Sequence, residues 1–220
     1  MRRSSRVQER AGVWSARVDA YRLSPAHAAG ADLDLVVEWA AGARTALDVA
    51  TGGGHVARRL REVGLEVVTT DRSPGMEPDV LCPAEDLPFA DGSFDVVACR
   101  VAAHHFDDVG AAIREMARVA ADRVLLVDNL FMSDDAEEAD RVRDASHVRN
   151  YTEAEWRGFF EAAGLRVDEV RQFDKPIELA PWLERAGCAG EEAERVRSLL
   201  SDRIDGDWIR LDRIALRAAK

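Results

Sequence analysis

Three consecutive glycines form the segment of this sequence best suited to hold a ligand. The turn at residues 51–54, TGGG, follows an apolar run at residues 46–50 and precedes a stretch with helical spacing. Glycine backbone adopts positive φ at little cost and can lie directly against a bound group. The first helical turn adds unpaired N–H groups and the positive end of a dipole, which suit a carboxylate. The segment predicts a cofactor site, although a tight turn without a ligand would have the same composition.

Asp71 is the second candidate, because it ends the next apolar run, at residues 66–70. In a doubly wound sheet this position lies beside the glycine turn. The carboxylate can accept hydrogen bonds from both hydroxyls of a ribose, whereas an aspartate that only caps the following chain would bind no ligand. The pair predicts a cofactor that contains ribose, and dinucleotide-binding folds share this pattern.

Three histidines are candidate catalytic residues. His104 and His105 follow the apolar run at residues 94–99, and His147 is a weaker candidate further along the chain. Because imidazole titrates near neutral pH, each of them can remove a proton from a substrate hydroxyl or orient that hydroxyl. The alternative for each is a histidine that only hydrogen-bonds within the fold.

Short apolar runs that alternate with helical stretches position these residues. Such alternation is typical of βαβ units, in which helices cover both faces of a parallel sheet. Between Asp71 and Ala84 the chain is short, and two prolines and a glycine within residues 72–79 predict a loop in place of a crossover helix. The predicted elements are strands at 46–50, 66–70, 94–99, 123–128, 166–173 and 208–216, and helices at 7–21, 31–39, 54–63, 109–120, 133–146, 152–163 and 180–204.

We therefore expect an α/β protein with a single-domain, Rossmann-like, doubly wound sheet, mostly parallel with an antiparallel closing strand, plus helical lid elements. A length of 220 residues, 47% of them hydrophobic, suits one domain. Within residues 1–220, we expect N-terminal capping helices at 1–42 and the cofactor-binding half at 43–130. Residues 131–220 would supply a lid helix, the C-terminal strands and a helical insertion.

The charge and the cysteines argue against several classes of function. A formal net charge of -11 repels phosphate backbones and anionic headgroups, so we expect no nucleic-acid partner. No apolar stretch is long enough to span a membrane, and no apolar region follows the basic N-terminal run, so we expect a cytoplasmic protein. The three cysteines are far apart and fit neither a disulfide framework nor a metal site, and we expect no metal.

A longer run carries a resemblance to a known family. Residues 84–97, AEDLPFADGSFDVV, taken with the glycine turn and Asp71, closely resemble the methyltransferase family that includes the ubiquinone and menaquinone biosynthesis enzymes. The resemblance extends over residues 21–173. Three further segments are similar to a subgroup of these enzymes that carries DVATGGGH at the turn: YRLSPAHA at 21–28, RVAAHHF at 100–106 and SHVRNY at 146–151.

This resemblance implies a class I methyltransferase that uses S-adenosylmethionine and releases S-adenosylhomocysteine. In that family the glycine turn holds the methionine part of the cofactor, the residue matching Asp71 binds ribose, and those matching Ala84 and Glu85 lie beside adenine. The methyl acceptor would be an O, N or C nucleophile of a small-molecule metabolite. The cofactor-binding residues implied are Tyr21, Asp48, Ala50, Thr51, Gly52, Gly53, Gly54, Asp71, Arg72, Ala84, Glu85 and Arg100.

Two departures from the family pattern concern the cofactor. Ala50 replaces the first glycine of the usual motif, which is a small change. Pro83 stands where relatives often place an aspartate that receives the adenine amino group, and proline offers neither a carboxylate nor an N–H. Glu85, Asp86 or a backbone carbonyl would have to substitute. Two alternatives stay open: an NAD(P)-dependent oxidoreductase, and an S-adenosylmethionine-binding protein with a non-methylating or regulatory role.

Overall fold

The computed structural model describes residues 18–220 of the chain. Most of the helix predicted at residues 7–21 lies outside this range. The α-helices within the described range are α1 (Val18–Arg22), α2 (Pro25–Ala28), α3 (Ala31–Trp39), α4 (His55–Glu62), α5 (Val109–Val119), α6 (Asp134–Arg143), α7 (Glu153–Ala162), α8 (Leu179–Ala186) and α9 (Gly190–Leu199).

A mixed sheet forms the centre of the described structure. In the order β3-β2-β1-β4-β5-β8-β6, neighbouring strands are parallel as far as β5, whereas β8 is antiparallel to both β5 and β6, and β7 pairs with β8. The predicted architecture, a mostly parallel doubly wound sheet with an antiparallel closing strand, is confirmed. The strands are β1 (Thr45–Val49), β2 (Glu66–Asp71), β3 (Val80–Leu81), β4 (Phe94–Arg100), β5 (Ala120–Asn129), β6 (Arg166–Glu178), β7 (Ile204–Asp205) and β8 (Trp208–Ala219).

Helices cover both faces of this sheet and bury two apolar layers. On one face, α5 and α7 pack over the strands, and Trp156 and Phe160 of α7 are fully buried there. On the other face, α3 and α4 bury Leu33 and Leu60. Thr152 caps α7 through a capping box with Glu155.

A third apolar cluster lies at the antiparallel end of the sheet. It joins α6, α8 and α9 to the ends of β6 and β8, with Ile177, Trp182 and Leu211 among its buried members. Of these helices, α6 and α8 contribute residues to the site described below.

Several predicted elements differ in extent from the observed ones. β5 begins at Ala120, before the predicted start at residue 123, and α6 ends at Arg143, before the predicted end at residue 146. β6 ends at Glu178 and β8 at Ala219, beyond the predicted ends at residues 173 and 216, because the two strands pair along their whole lengths whatever side chains they carry. The helix predicted at 180–204 is wrong as one element: Gly187 adopts φ 73° and ends α8, α9 follows, and Ile204 belongs to β7.

The segment after β2 contains the predicted loop. A short 3₁₀ turn, Pro74–Met76, and the two-residue strand β3 replace the usual crossover helix. In the described part of the chain, no helix is both long and apolar enough to cross a membrane.

Candidate active site

A pocket opens at the carboxyl ends of the parallel strands, where open α/β sheets bind ligands. It encloses about 1210 Å³, counting its open mouth. We call the side that follows β1 and β2 the glycine end, which contains Asp48, Gly52, Gly53 and Asp71. We call the side built by α6, α8, β6 and β8 the arginine end, which contains Arg143, Ile177, Trp182, Arg185 and Leu211.

The glycine turn allows the chain before β1 to pack against it. A Cβ added to Gly53 would lie 3.0 Å from the carbonyl oxygen of Tyr21 and 3.0 Å from Nε2 of His55. Gly52 adopts φ 52°, a left-handed conformation that favours glycine. The turn is therefore narrow and exposes bare backbone to the pocket.

Asp48 fixes the shape of this turn through two hydrogen bonds. Its Oδ2 accepts hydrogen bonds from Thr51 Oγ1 at 2.6 Å and from the backbone N–H of Ala57 at 3.1 Å. Burial raises the pKa of Asp48 to about 6, against the lowering effect of these hydrogen bonds. The ionised carboxylate is incompletely compensated, so a bound cation would stabilise it.

Asp71 lies at the end of β2 and lines the pocket. Its Oδ2 accepts a hydrogen bond from the Gly52 N–H at 3.0 Å, and its Oδ1 accepts one from the Ser73 N–H at 2.8 Å. Burial raises the pKa of Asp71, although these backbone donors lower it. A carboxylate offers about four lone-pair positions, so Asp71 can accept further bonds from hydroxyl groups.

Two residues other than glycine adopt left-handed backbone conformations around the pocket. Ala50 has φ 54° and Val101 has φ 56°, and both line the pocket. Such strain costs about 1–2 kcal/mol for a residue with a Cβ and concentrates at functional sites. Ala50 thus keeps the backbone conformation that glycine favours at this position.

His104 is a buried histidine paired with a carboxylate. Its Nδ1 donates to Oδ1 of Asp128 at 2.5 Å, and its backbone N–H donates to Oδ2 of the same residue at 2.8 Å. Burial disfavours the charged ring, but the charge and the hydrogen bond of Asp128 outweigh burial and raise the pKa of His104. The pair fixes the orientation of the ring.

His105 and His147 stand in different surroundings. The Nδ1 of His105 donates to the carbonyl oxygen of Ser146 at 3.1 Å, and burial, then the charge of His104, hold the pKa of His105 well below its usual value. The Nε2 of His147 lies 3.0 Å from Oε1 of Glu137. His104 and His105 line the pocket, whereas His147 lies behind them.

The separate motif segments of the sequence meet at this pocket. The carbonyl oxygen of His27 accepts a hydrogen bond from Arg100 Nη1 at 3.0 Å, which joins segment 21–28 to the end of β4. The carbonyl oxygen of His104 accepts one from the Val148 N–H at 2.9 Å. Hydrogen bonds of this kind position the pocket walls.

Three cations share one buried carboxylate beside the pocket. Asp32 contacts Arg100 at 2.6 Å, Lys175 at 2.8 Å and Arg213 at 3.0 Å. Burial would raise the pKa of Asp32, but these cations lower it to about 2. The group therefore carries excess positive charge.

Comparison with known proteins assigns the chain to a family. Residues 47–127 match the family model described as a methyltransferase domain. A relative in Bacillus subtilis (strain 168), named uncharacterized methyltransferase YcgJ, is 31% identical over 216 residues, covering 87% of this chain and 85% of the relative. The chain belongs to this methyltransferase family.

Other matches agree with the assignment of this methyltransferase. The crystal structure of the YcgJ protein has a TM-score of 0.78 and 28% identity, covering 86% of this chain and 97% of that one. A demethylmenaquinone methyltransferase from Beutenbergia cavernae is 39% identical over 83 residues, which cover 33% of this chain and 35% of that enzyme. The predictions of a class I fold and of an enzyme that transfers a methyl group from S-adenosylmethionine are confirmed, and the oxidoreductase alternative is disfavoured.

The methyltransferase brings most of the residues predicted for the cofactor to one pocket. Three predicted residues do not line the pocket. Gly54 is the N-cap of α4, and Ala84 is buried in the core. Glu85 accepts hydrogen bonds from the chain before α5. Those that line the pocket are Tyr21, Asp48, Ala50, Thr51, Gly52, Gly53, Asp71, Arg72 and Arg100.

Sequence reasoning missed the residues of the arginine end. Arg143, Trp182 and Arg185 belong to helices with no motif that marks them as functional. Arg213 left a usable signal, because it stands on the inward-facing side of β8 between apolar residues and is almost fully buried. A charged residue at an inward position of an apolar strand indicates a partner or a ligand.

Proposed function

We propose that this methyltransferase binds S-adenosylmethionine at the glycine end and transfers its methyl group to an O, N or C nucleophile of a small molecule at the arginine end. The observation that carries the proposal is the combination of bare backbone at Gly52 and Gly53 with the buried Asp71, whose Oδ2 lies 3.0 Å from the Gly52 nitrogen. The methyltransferase family assignment supplies the reaction class.

The glycine end fits this cofactor in shape and in charge. A side chain at residue 53 would contact Tyr21 and His55, so glycine keeps the turn close to these residues, and the backbone of Gly52 and Gly53 lines the pocket. Burial raises the pKa of both Asp48 and Asp71, so a cationic ligand would stabilise their ionised forms. We assign the ribose hydroxyls to Asp71, because a carboxylate accepts from both.

We propose that adenine is held mainly by apolar surface. Glu85 is engaged by two successive backbone N–H groups, at 2.9 and 3.3 Å, and braces a loop. Pro83 provides no carboxylate at the position that relatives use. Met76 and Phe106 line the pocket and provide apolar contact, with a planar ring on Phe106.

The protein residues contribute positioning and a base. When bound, S-adenosylmethionine supplies an electrophilic methyl group on a positively charged sulfur. His105 is uncharged at neutral pH because its pKa is lowered, and its Nδ1–H bond to Ser146 leaves the lone pair on Nε2. We assign to His105 the removal or orientation of the acceptor proton, and to the pair of His104 and Asp128 the positioning of the neighbouring ring.

We infer that residues 1–220 form one domain of the DVATGGGH-type subgroup. The pocket is lined by residues from Tyr21 to Arg213, so a complete site requires both the half at 43–130 and the half at 131–220. The formal net charge of -11 argues for a small molecule and against a nucleic acid as the acceptor.

Calorimetric titration tests the cofactor assignment. The purified protein should bind S-adenosylmethionine and S-adenosylhomocysteine and show no preference for NADH. A preference for NADH would contradict the proposal. Transfer of a labelled methyl group to a panel of phenolic, quinone-like and amine acceptors tests the reaction, and tight cofactor binding without transfer to any acceptor would favour the non-methylating alternative.

A further inference from the structure

Two arginines stand among apolar side chains at the arginine end of the pocket. Arg143 ends α6 and Arg185 lies near the end of α8, and both line the pocket with Ile177, Trp182 and Leu211. A protein with a formal net charge of -11 thus places cations in its pocket.

Arg143 is held in place by Trp182 and pairs with Asp140 at long range. Its Cζ lies 4.2 Å above the ring of Trp182, and its Nη1 donates to the Trp182 carbonyl oxygen at 3.3 Å. Its Nε is buried with no hydrogen-bond partner among residues 18–220, and Oδ1 of Asp140 is 3.8 Å away. A buried donor of this kind costs free energy unless a ligand satisfies it.

Arg185 has no carboxylate partner within residues 18–220. Burial lowers the pKa of Arg185, and the charge of Arg143 lowers it further, while Tyr21 acts in the opposite direction. Two guanidinium groups therefore repel each other across the same part of the pocket.

Further cations lie close to these arginines. Arg100, Lys175 and Arg213 share the carboxylate of Asp32. Burial and then the charges of Arg213, Arg185 and Arg100 lower the pKa of His27 well below its usual value. Asp140 pairs with Arg143, so Arg185 is the arginine of this end that lacks a carboxylate partner among residues 18–220.

We propose that the methyl acceptor carries an oxyanion, a carboxylate or a phosphate, which Arg143 and Arg185 bind while its apolar body packs against Ile177, Trp182 and Leu211. This inference rests on the proposed function, because it requires the methyl donor to occupy the glycine end. Guanidinium groups suit carboxylate and phosphate oxygens because their donors form a planar fork. The oxyanion would satisfy the buried Nε of Arg143 and relieve the repulsion between the two arginines.

The test compares anionic acceptors with neutral counterparts of the same shape. The probes are 4-hydroxybenzoate, 4-hydroxyphenyl phosphate and 4-hydroxybenzamide, titrated into the protein saturated with S-adenosylhomocysteine and assayed with labelled S-adenosylmethionine. Each anion should bind at least 10-fold more tightly than the amide. The anion that binds more tightly indicates whether the substrate carries a carboxylate or a phosphate.

The variants Arg185→Met and Arg143→Met should weaken anion binding at least 10-fold and leave the Kd for S-adenosylhomocysteine within 2-fold. Arg185→Met is the decisive variant, since Arg185 forms no ion pair with residues 18–220 and the variant should fold normally. The control is Arg195→Met on α9, whose exposed side chain pairs with Glu138, and it should change neither value.

Two results would overturn the inference. Equal or tighter binding of the amide would show that the arginines do not select charge. An equal loss of anion and S-adenosylhomocysteine binding in Arg185→Met would show that the arginine contacts the cofactor carboxylate. Failure of the proposed function is separate, because it appears as absent S-adenosylhomocysteine binding to the unmodified protein.

Discussion

The two ends of the pocket are built from opposite charges and by different means. At the glycine end, burial raises the pKa values of Asp48 and Asp71. At the arginine end, burial lowers the pKa of Arg185. Each end leaves its own charge incompletely compensated, so a cationic methyl donor and an anionic acceptor would together complete the site. The comparison indicates that the pocket is arranged for two ligands of opposite charge.

Substitutions at the two ends of the pocket should also affect different quantities. Changes at the glycine end should alter cofactor binding, and changes where the acceptor lies should alter turnover.

Replacement of Asp48 by asparagine should produce the largest effect, on the pH dependence of stability. The pKa of Asp48 in the folded state, about 6, lies above the ordinary value of 3.8, so ionisation of Asp48 lowers the free energy of unfolding. This loss is absent below about pH 4 and complete above about pH 6. Asp48→Asn lacks this cost. Its free energy of unfolding relative to the wild type should therefore rise by roughly 3 kcal/mol between pH 4 and pH 7.

Denaturant unfolding at several pH values measures this difference. The exposed variant Asp91→Asn corrects for the loss of one negative charge. If the free energy of unfolding of Asp48→Asn relative to the wild type stays constant with pH, the charge of Asp48 is compensated within the protein. The glycine end would then carry no uncompensated negative charge.

His105→Ala should lower kcat by about 100-fold, the lower range for loss of a general base. The Kd for S-adenosylhomocysteine should stay within 2-fold of normal. His147→Ala is the matched control, because it removes a nearby ring bonded to Glu137 outside the pocket lining; it should reduce stability and spare kcat. Normal turnover in His105→Ala would remove His105 from the mechanism.

Asp71→Ala should weaken cofactor binding by at least about 1.5 kcal/mol, or roughly 12-fold, through loss of charged hydrogen bonds. Asp79→Ala is the control, since Asp79 also accepts bonds from backbone and side chain near the end of β2 but does not line the pocket. Calorimetry with S-adenosylhomocysteine compares the two variants. Equal Kd values for Asp71→Ala and the wild type would place the ribose elsewhere.

The glycine end could be predicted from the sequence because its parts are local. The turn, β1 and Asp71 all lie within residues 45–71, and apolar runs with a glycine cluster indicate where the neighbouring parallel strands end. The helices and strands followed from the same periodicity, except where backbone pairing extended β6 and β8 or where Gly187 divided a helical stretch.

The arginine end could not be predicted in this way. Arg143 lies on α6 after β5, whereas Trp182 and Arg185 lie on α8 after β6, and they meet because both helices pack in the apolar cluster at the antiparallel end of the sheet. An arginine near the end of a helix is usually a solvated residue that favours the helix dipole. Tertiary packing instead places these two arginines in the wall of the pocket.

A crystal structure of the protein with S-adenosylhomocysteine would show directly whether the glycine end holds the cofactor. We expect the ribose hydroxyls on the Asp71 carboxylate, the amino-acid part against the backbone of Gly52 and Gly53, and an arginine end that stays open for a second ligand. A glycine end without ligand, or a cofactor bound with its ribose away from Asp71, would rule this assignment out.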